Sequence, residues 1–356
     1  MTAASLYTPH GRALTVLHSD LENHALGQRE VFVGTAGSVV ERQNASGFRL
    51  YAHQFYDGDG KKRERYLGGP VGSAEADALA EATRVRIREV KELVPSLRLL
   101  GREGFSLVDP RTYATVASLH NHGVFSAGGM LIGSHAYGVL LNRLGARAAA
   151  YATEDIDIAR REALAFDTLP EVDFLEMLRD SGIEFVEVPG LDRKAPATSF
   201  KQRGRSRFHV DLLVPSPDES FPVLPVPELG AHATGLPYLR FLLEESQDGV
   251  LLAREGCCRV RVPLPERFAV HKLLVSRLRV GRGAKSDKDV FQAAVLFAVL
   301  AETHPGALEG AIDAVPRAAR KYLEPALRAL QPLLQEAHPR AWEEVRDAVP
   351  GRRQKT

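Results

Sequence analysis

The pattern of hydrophobic and polar residues predicts a hairpin and a helix in the first third of the chain. Residues 48–56 alternate partly with the period of a strand, the turn sequence 57–60 follows, and residues 61–67 predict the returning strand. Ser73 then has the features of a helix N-cap, because an acidic first turn and a pattern of about 20 helical residues follow it. We therefore expect residues 1–108 to form a module with a basic, aromatic β-hairpin and a helix.

Residues 109–263 alternate between short apolar strands and helices. Asp109 is the predicted cap of a helix that begins at Pro110 and ends near residue 123. Further helices are predicted at 135–144 and 174–181. Strands are predicted at 124–132, 152–158, 185–188, 208–214, 238–243, 250–253 and 258–262, with a proline-rich linker at 215–227. We expect this part to form a mixed sheet covered by helices.

The remaining residues, 264–356, have a helical pattern. Helices are predicted at 266–280 and 287–302, followed by several short ones up to residue 349. The complete pattern therefore predicts an α/β plus α fold with three parts: an N-terminal hairpin-helix module, a central mixed-sheet core and a C-terminal helical region.

Composition narrows the classes of function. The 356 residues carry a net charge of +1, so binding to nucleic acid would depend on local basic patches. The two cysteines, Cys257 and Cys258, are adjacent, which suits neither a disulfide framework nor a zinc site. The sequence has no signal-peptide pattern and no apolar run near the roughly 20 residues of a membrane span. We therefore expect a cytoplasmic protein that does not enter a membrane.

Three carboxylates stand out in the central part. Asp155 and Asp157 lie two apart in a predicted strand, so both side chains point to one face. Two like charges at one place favour a cation between them, and oxygen ligands favour Mg²⁺. Asp211 lies inside an otherwise apolar strand, where a charge without a partner is costly. Shared metal ions would remove both costs, although Asp155 and Asp157 alone also fit a solvated strand end.

A Gly133-Ser134 pair precedes these carboxylates, after an apolar strand and before a helix. Glycine permits close approach to the backbone, and the free N–H groups of a helix N-terminus suit phosphate. The Ser134 hydroxyl could donate to the same phosphate. The alternative is that Ser134 is only the N-cap of the helix.

The order of these motifs resembles the DNA polymerase beta-like nucleotidyltransferase superfamily. The resemblance implies that Asp155 and Asp157 bind the nucleotide-bound metal, that Asp211 joins them at a second metal and helps activate the attacking hydroxyl, and that Gly133 and Ser134 hold the triphosphate. The cofactors implied are two Mg²⁺ or Mn²⁺ ions, and the substrate is an NTP such as ATP that releases pyrophosphate. One departure is the interval from Ser134 to Asp155, which at 21 residues is longer than is common in the superfamily.

Two narrower likenesses extend the comparison. The segment from His271 to Lys288-Asp289 resembles the helical part of AbiE-type toxin nucleotidyltransferases, which implies that Lys272 faces the triphosphate; a solvated lysine is the alternative. The chain as a whole is most similar to uncharacterised bacterial nucleotidyltransferase-fold proteins that begin with a basic hairpin ending in Tyr-Leu-Gly. An antitoxin or regulatory protein is a partner that the first likeness implies.

A basic run precedes Asp211 and raises the question of the acceptor. Lys201, Arg203, Arg205 and Arg207 share parity with Asp211, so an unbroken strand would place them on the carboxylate face. There we expect some of them, Arg205 and Arg207 in particular, to bind the triphosphate of the nucleotide or the phosphate backbone of an acceptor. The alternative is a turn at residues 203–205 with solvated arginines. We expect RNA, such as tRNA, as the acceptor, with a protein or small-molecule hydroxyl, or a catalytically silent nucleotide-binding module, as alternatives.

Overall fold

The computed structural model describes residues 4–149, 153–190, 195–278 and 283–348. Its strands are β1 Tyr7–Pro9, β2 Ser38–Gln43, β3 Arg49–Tyr56, β4 Lys62–Gly68, β5 Met130–Ile132, β6 Ala146–Ala148, β7 Asp155–Ala159, β8 Phe185–Glu187, β9 Ser199–Gln202, β10 His209–Pro215, β11 Val223–Val226, β12 Ala231–Leu236, β13 Ser246–Leu252 and β14 Cys257–Pro263. Its α-helices are α1 Arg12–Gly27, α2 Ala74–Arg102, α3 Pro110–Asn121, α4 Gly133–Arg143, α5 Phe174–Arg179, α6 Leu239–Leu243, α7 Pro265–Leu278, α8 Ala284–Thr303, α9 Ala307–Asp313, α10 Arg320–Arg328, α11 Gln331–Leu334 and α12 Pro339–Ala348. Residues 150–152, which include the predicted start of a strand, residues 279–280 of a predicted helix, and residue 349 lie outside the described residues.

The central sheet contains the two strands that carry the predicted carboxylates. Its strand order is β11-β12-β10-β7-β5. β10 is parallel to both β7 and β12, whereas β5 is antiparallel to β7 and β11 is antiparallel to β12. The prediction of a mixed sheet within an α/β protein is therefore confirmed.

Two strands pair with the same edge of β10, each along one half of its length. β9 pairs antiparallel with its first half, at residues 209–211, and β12 pairs with its second half, at residues 213–215. β8 continues the sheet beyond β9. As a result, the half of β10 that carries Asp211 lies between β7 and β9.

The N-terminal sheet has the order β2-β3-β4 and contacts the central sheet through a turn. The hairpin predicted over residues 48–67 is present as β3 and β4, and Ser73 caps α2 as predicted by accepting from the Ala76 N–H. Within the turn, a Cβ on Gly58 would lie 2.9 Å from the Ala114 Cβ on α3, so only glycine allows this packing. The neighbouring Asp59 accepts a 2.7 Å hydrogen bond from Gln202 Nε2 on β9.

One hydrophobic core runs from the central sheet into the C-terminal helices. It includes Phe200 and Phe208 beside β10, Phe268 on α7, Phe297 on α8 and Leu334 on α11. Among the described residues, no helix is long and apolar enough to cross a membrane. The C-terminal helices therefore share their buried surface with the sheet that carries the carboxylates.

Two of the predicted strands are wrong in part or in full. Residues 239–243 form the short helix α6, because every residue but Arg240 in this run is buried and such a run has no period that separates helix from strand. Of residues 124–132, only Met130–Ile132 form a strand. The residues before it form turns, in which Gly128 adopts a φ of +111°.

The long interval between Ser134 and Asp155 contains an additional strand. Helix α4 ends at Arg143, and β6 then pairs antiparallel with β1 at the start of the chain. The described part of the interval therefore anchors the N-terminal segment instead of lengthening the helix.

Candidate active site

The three predicted carboxylates come together on one face of the central sheet. In the parallel pairing of β7 with β10, Asp157 lies directly opposite Asp211, and Asp155 lies opposite His209. Paired residues of neighbouring strands point to the same face, and residues two apart on one strand do so as well. The register therefore gathers Asp155, Asp157, His209 and Asp211 in one patch, which we call the carboxylate patch.

His209 lies between two of the carboxylates. Its Nδ1 is 3.3 Å from Asp155 Oδ1, and its Nε2 is 3.5 Å from Asp211 Oδ2. Nδ1 also donates a 2.8 Å hydrogen bond to the carbonyl of Arg207. Hydrogen bonding to Asp211 raises the pKa of His209 to about 9, against the opposing effect of partial burial. The imidazole is therefore protonated at neutral pH and offsets part of the negative charge.

Asp157 is the carboxylate whose ionisation is most costly. Burial, followed by the charge of Asp211, raises the pKa of Asp157 to about 6, while the charge of Lys272 acts in the opposite direction. Asp211 is held on its other side by Ser199 of β9, whose hydroxyl donates to Asp211 Oδ1. This patch concentrates negative charge in a way that favours a cationic ligand.

Gly133 is required by the position of Asp157. Ile132 pairs with Asp157 across β5 and β7, so the next residue, Gly133, lies against the Asp157 side chain. A Cβ on Gly133 would stand 1.9 Å from Asp157 Oδ2, and Gly133 has a φ of +67°. Any other residue would both strain the backbone and displace the carboxylate.

Helix α4 begins beside the carboxylate patch with its N-terminus uncapped by any side chain. Ile132 occupies the N-cap position and makes no side-chain hydrogen bond to the helix. Ser134 is the second residue of the helix, so the alternative that it serves as the N-cap is wrong. Its hydroxyl makes no hydrogen bond to another residue in the described ranges. The free N–H groups of this turn and the Ser134 hydroxyl remain available to an anion.

The basic run before Asp211 does not form one strand. Lys201 lies opposite His209 on β9 and so faces the carboxylate patch, but the chain turns at residues 203–205, where Gly204 has a φ of +101°. The turn predicted as the alternative is therefore confirmed, and parity no longer places Arg205 and Arg207 on the patch. Both side chains are exposed beside the start of β10.

Lys272 lies within electrostatic range of the patch but has a partner of its own. Its Nζ is 2.8 Å from Asp289 Oδ1 on α8, and the two side chains are only 12% and 2% exposed. The alternative of a solvated lysine is therefore wrong. Burial, followed by the charge of Lys272, lowers the pKa of Lys288 on α8, while the charges of Asp289, Asp155 and Asp157 act in the opposite direction. Two lysines thus bring positive charge towards the carboxylates.

The residues that sequence reasoning did not assign depend on register and packing. The spacing of His209 and Asp211 indicated that they share one face of the strand. The position of His209 between two carboxylates, however, follows only from the pairing of β7 with β10. Ser199 reaches Asp211 through the antiparallel register of β9. Lys288 requires the packing of α7 against α8. Strand or helix periodicity alone identifies none of these contacts.

The fit of metal ions to the patch rests on its donor chemistry. As the side chains stand in the described part of the chain, no group of three or more His, Cys, Asp or Glu residues is arranged to hold a metal ion. Asp155 and Asp211 turn towards His209 instead. Three carboxylates in register, one of them with a raised pKa, nevertheless form the hard oxygen set that Mg²⁺ prefers.

Comparison with known proteins identifies the family. Residues 111–316, more than half of the chain, match the model of a nucleotidyltransferase family. The matched segment includes the carboxylate patch, Gly133-Ser134 and Lys272, and it crosses the boundary predicted at residues 263 and 264. Neither the curated proteins nor the solved structures contain a match to the chain. The likeness to AbiE-type toxin enzymes stays a prediction. The extent of the family match shows that the chain belongs to a nucleotidyltransferase family.

Proposed function

We propose that the protein is a metal-dependent nucleotidyltransferase with a polymerase-beta-like core, which moves an NMP from an NTP to an acceptor hydroxyl. The observation that carries this proposal is the register that sets Asp157 opposite Asp211 while Gly133 lies against Asp157. That register brings a candidate phosphate-binding turn and three acidic side chains to the same place. Phosphoryl transfer requires both a binding site for the transferred group and a means to stabilise the charge that develops in the transition state.

In the proposed reaction, the acceptor oxygen forms a bond to the α-phosphorus and the bond between the α-phosphorus and the bridging oxygen breaks. Pyrophosphate leaves, and the proton of the acceptor hydroxyl passes to a base. Asp211 is our candidate for this base, because Ser199 orients its carboxylate from the neighbouring strand. His209 beside it holds a proton near neutral pH and limits the repulsion among the carboxylates.

Asp155, Asp157 and Asp211 would hold two Mg²⁺ or Mn²⁺ ions. When bound, these ions supply positive charge to the attacking and leaving oxygens. The protein's own contribution is to place the carboxylates side by side on two adjacent parallel strands, whose pairing fixes the backbone from which they extend.

The triphosphate would lie at the N-terminus of α4. Free N–H groups, the positive end of the helix and the Ser134 hydroxyl all favour an anion there. Lys272 and Lys288 add charge from the opposite side. Because Asp289 holds Lys272 at 2.8 Å, this lysine is positioned before any substrate arrives.

For the acceptor we propose RNA, such as tRNA, on the strength of a basic surface beside the patch. The β9–β10 turn with Arg205 and Arg207 adjoins the turn of the N-terminal hairpin through the contact between Gln202 and Asp59. The hairpin strand β4 adds exposed Lys62 and Arg65. Phosphate contacts of this kind position a nucleic acid without selecting a sequence.

We expect the double variant Arg205→Ala/Arg207→Ala to raise the KM for an RNA acceptor by about three- to tenfold, because each lost cation removes a phosphate contact. The salt dependence of the KM should weaken at the same time. The matched control is Arg98→Ala/Arg102→Ala, which removes two exposed charges from α2. Steady-state kinetics that are the same for both double variants would exclude Arg205 and Arg207 from acceptor binding.

The function itself is tested by incubation with α-labelled NTPs, Mg²⁺ and either total cell RNA or total cell protein. We expect label to appear in RNA with the wild type, and to be lost with a chelator and with Asp155→Ala. Label in protein would move the acceptor to a protein hydroxyl, the alternative that a toxin-like enzyme requires. Label that persists in Asp155→Ala would contradict the proposal, and NTP binding without transfer to any acceptor would favour a silent nucleotide-binding module.

A further inference from the structure

A cavity of about 590 Å³ lies between the end of β12, the last turns of α7 and the first turn of α8. Most of its lining is apolar and comes from Phe221, Leu236, Val275 and Leu278, while His271 and Lys285 contribute polar groups. None of these residues belongs to the carboxylate patch. A mostly apolar cavity of this size with a few polar groups is typical of a small-molecule site.

His271, which lines this cavity, has an unsatisfied polar atom. The residue is 7% exposed, and its buried Nε2 has no hydrogen-bond partner among the described residues. Burial, followed by the charge of Lys272, lowers the pKa of His271 to about 3, so the ring is neutral at physiological pH. A buried polar atom without a partner is uncommon in folded proteins and calls for an explanation. A ligand with a polar edge in the cavity would supply the missing partner.

Phe221 offers a flat apolar surface to the same cavity. It is 58% exposed, although it lies in a segment that is firmly attached. Two residues earlier, Glu219 accepts hydrogen bonds from the Tyr238 and Tyr322 hydroxyls at 2.5 and 2.9 Å and pairs with Lys321 at 2.8 Å. The exposed ring is therefore held in place beside the cavity, as a stacking surface would be.

The cavity lies on the face of the sheet that carries the carboxylates. Leu236 pairs in parallel with Pro215, which shares a face with Asp211 because side chains alternate along β10. The step from Asp211 to Pro215 corresponds to about 13 Å along the strand. On the helical side, His271 precedes Lys272, and Lys285 lies one turn before Lys288. A ligand in the cavity would thus lie beside the turn of α8 that carries Lys288.

We propose that this cavity binds the nucleobase of the NTP, stacked against Phe221 and hydrogen-bonded at its edge to His271. A nucleobase has two apolar faces and a polar rim, which matches an apolar cavity with one exposed ring and one neutral imidazole. Because the cavity and the carboxylate patch share one face of the sheet, the phosphates of the same molecule would extend along that face towards α4. The inference rests on the proposed function and assigns the base end of its substrate.

The test is calorimetric titration in Mg²⁺ with each of the four α,β-methylene NTPs and, separately, with tripolyphosphate. We expect Phe221→Ala to weaken binding of at least one methylene NTP by about tenfold, the scale of a lost stacking contact. His271→Leu should weaken it by several-fold, the scale of a lost hydrogen bond. Both variants should bind tripolyphosphate as the wild type does. Phe48→Ala, which removes another partly exposed phenylalanine far along the chain, is the matched control and should change neither affinity.

Phe221 is exposed, so its variant keeps the test decisive even if His271→Leu does not fold. Methylene-NTP affinities in Phe221→Ala equal to those of the control would overturn the nucleobase site while the proposed function stands. A parallel loss of tripolyphosphate binding would also overturn it, because the variant would then have damaged the phosphate end. Wild-type protein that binds neither probe would overturn the proposed function together with this inference.

Discussion

We expect Asp157→Asn to abolish nucleotidyl transfer and at the same time to stabilise the protein in metal-free buffer. Transfer should fall by about a thousandfold or more, because the variant loses one of the charges that hold the metal ions. Stability should rise because Asp157 is partly buried beside Asp211, and a neutral amide removes both the cost of desolvating its charge and the repulsion between the two carboxylates. Each kcal/mol gained corresponds to a rise in Tm of about 2–4 °C. The measurements are a transfer assay and thermal unfolding in the presence of a chelator.

The gain in stability of Asp157→Asn should also depend on pH. In the folded protein the pKa of Asp157 is about 6, above the usual value for an aspartate. The folded state therefore binds this proton more tightly than the unfolded state does, and the carboxylate's contribution to the free energy of unfolding falls as pH rises through about 4 to 6. The gain in Tm from Asp157→Asn should be full at pH 7.5 and nearly absent at pH 4. Asp167→Asn, at an exposed aspartate, is the control; a Tm gain of the same size in both variants, or retained transfer in Asp157→Asn, would contradict the assigned role.

Gly133→Ala should have the second-largest effect on transfer. The added Cβ would stand 1.9 Å from Asp157 Oδ2, so the carboxylate or the start of α4 must move. We expect transfer to fall on the order of a hundredfold, since small displacements of reacting groups have effects of this size. The φ of +67° adds a loss of about 1–2 kcal/mol in the free energy of unfolding.

The control for this variant is Gly306→Ala. Gly306, the N-cap of α9, also lies at the start of a helix and also has a positive φ, of +86°, but a Cβ there would meet nothing within 4 Å. The control should therefore show a similar loss of stability and full transfer activity. Equal activities in the two alanine variants would mean that the contact between Gly133 and Asp157 has no part in catalysis.

The sequence was sufficient to predict the carboxylates because their signal is local. Asp155 and Asp157 are two residues apart, and Asp211 is an acidic residue inside an otherwise apolar strand. Both features can be recognised without any tertiary structure. The caps Ser73 and Asp109 were predictable for the same reason, since a cap acts on its own first turn. These features depend on residues no more than a few positions apart.

The remaining features depend on contacts between distant segments. The turn at Gly204 separates Arg205 from the face that parity predicted, and a glycine alone does not decide between a strand and a turn. The ion pair of Lys272 with Asp289 joins two helices, and the position of His209 depends on the strand beside it. Residues 239–243 are almost entirely apolar, so burial by neighbouring elements, rather than any periodicity, decides that they form a helix.

The contact between Asp59 and Gln202 has an evolutionary consequence. The family match begins at Arg111, yet the hairpin that precedes it rests on the strand next to Asp211. The carboxylate patch and the part of its surroundings that the hairpin contributes are thus encoded in separate stretches of the gene. If the proposed acceptor surface is correct, substitutions in the hairpin would change which molecules approach the carboxylate patch and leave the carboxylates themselves unchanged.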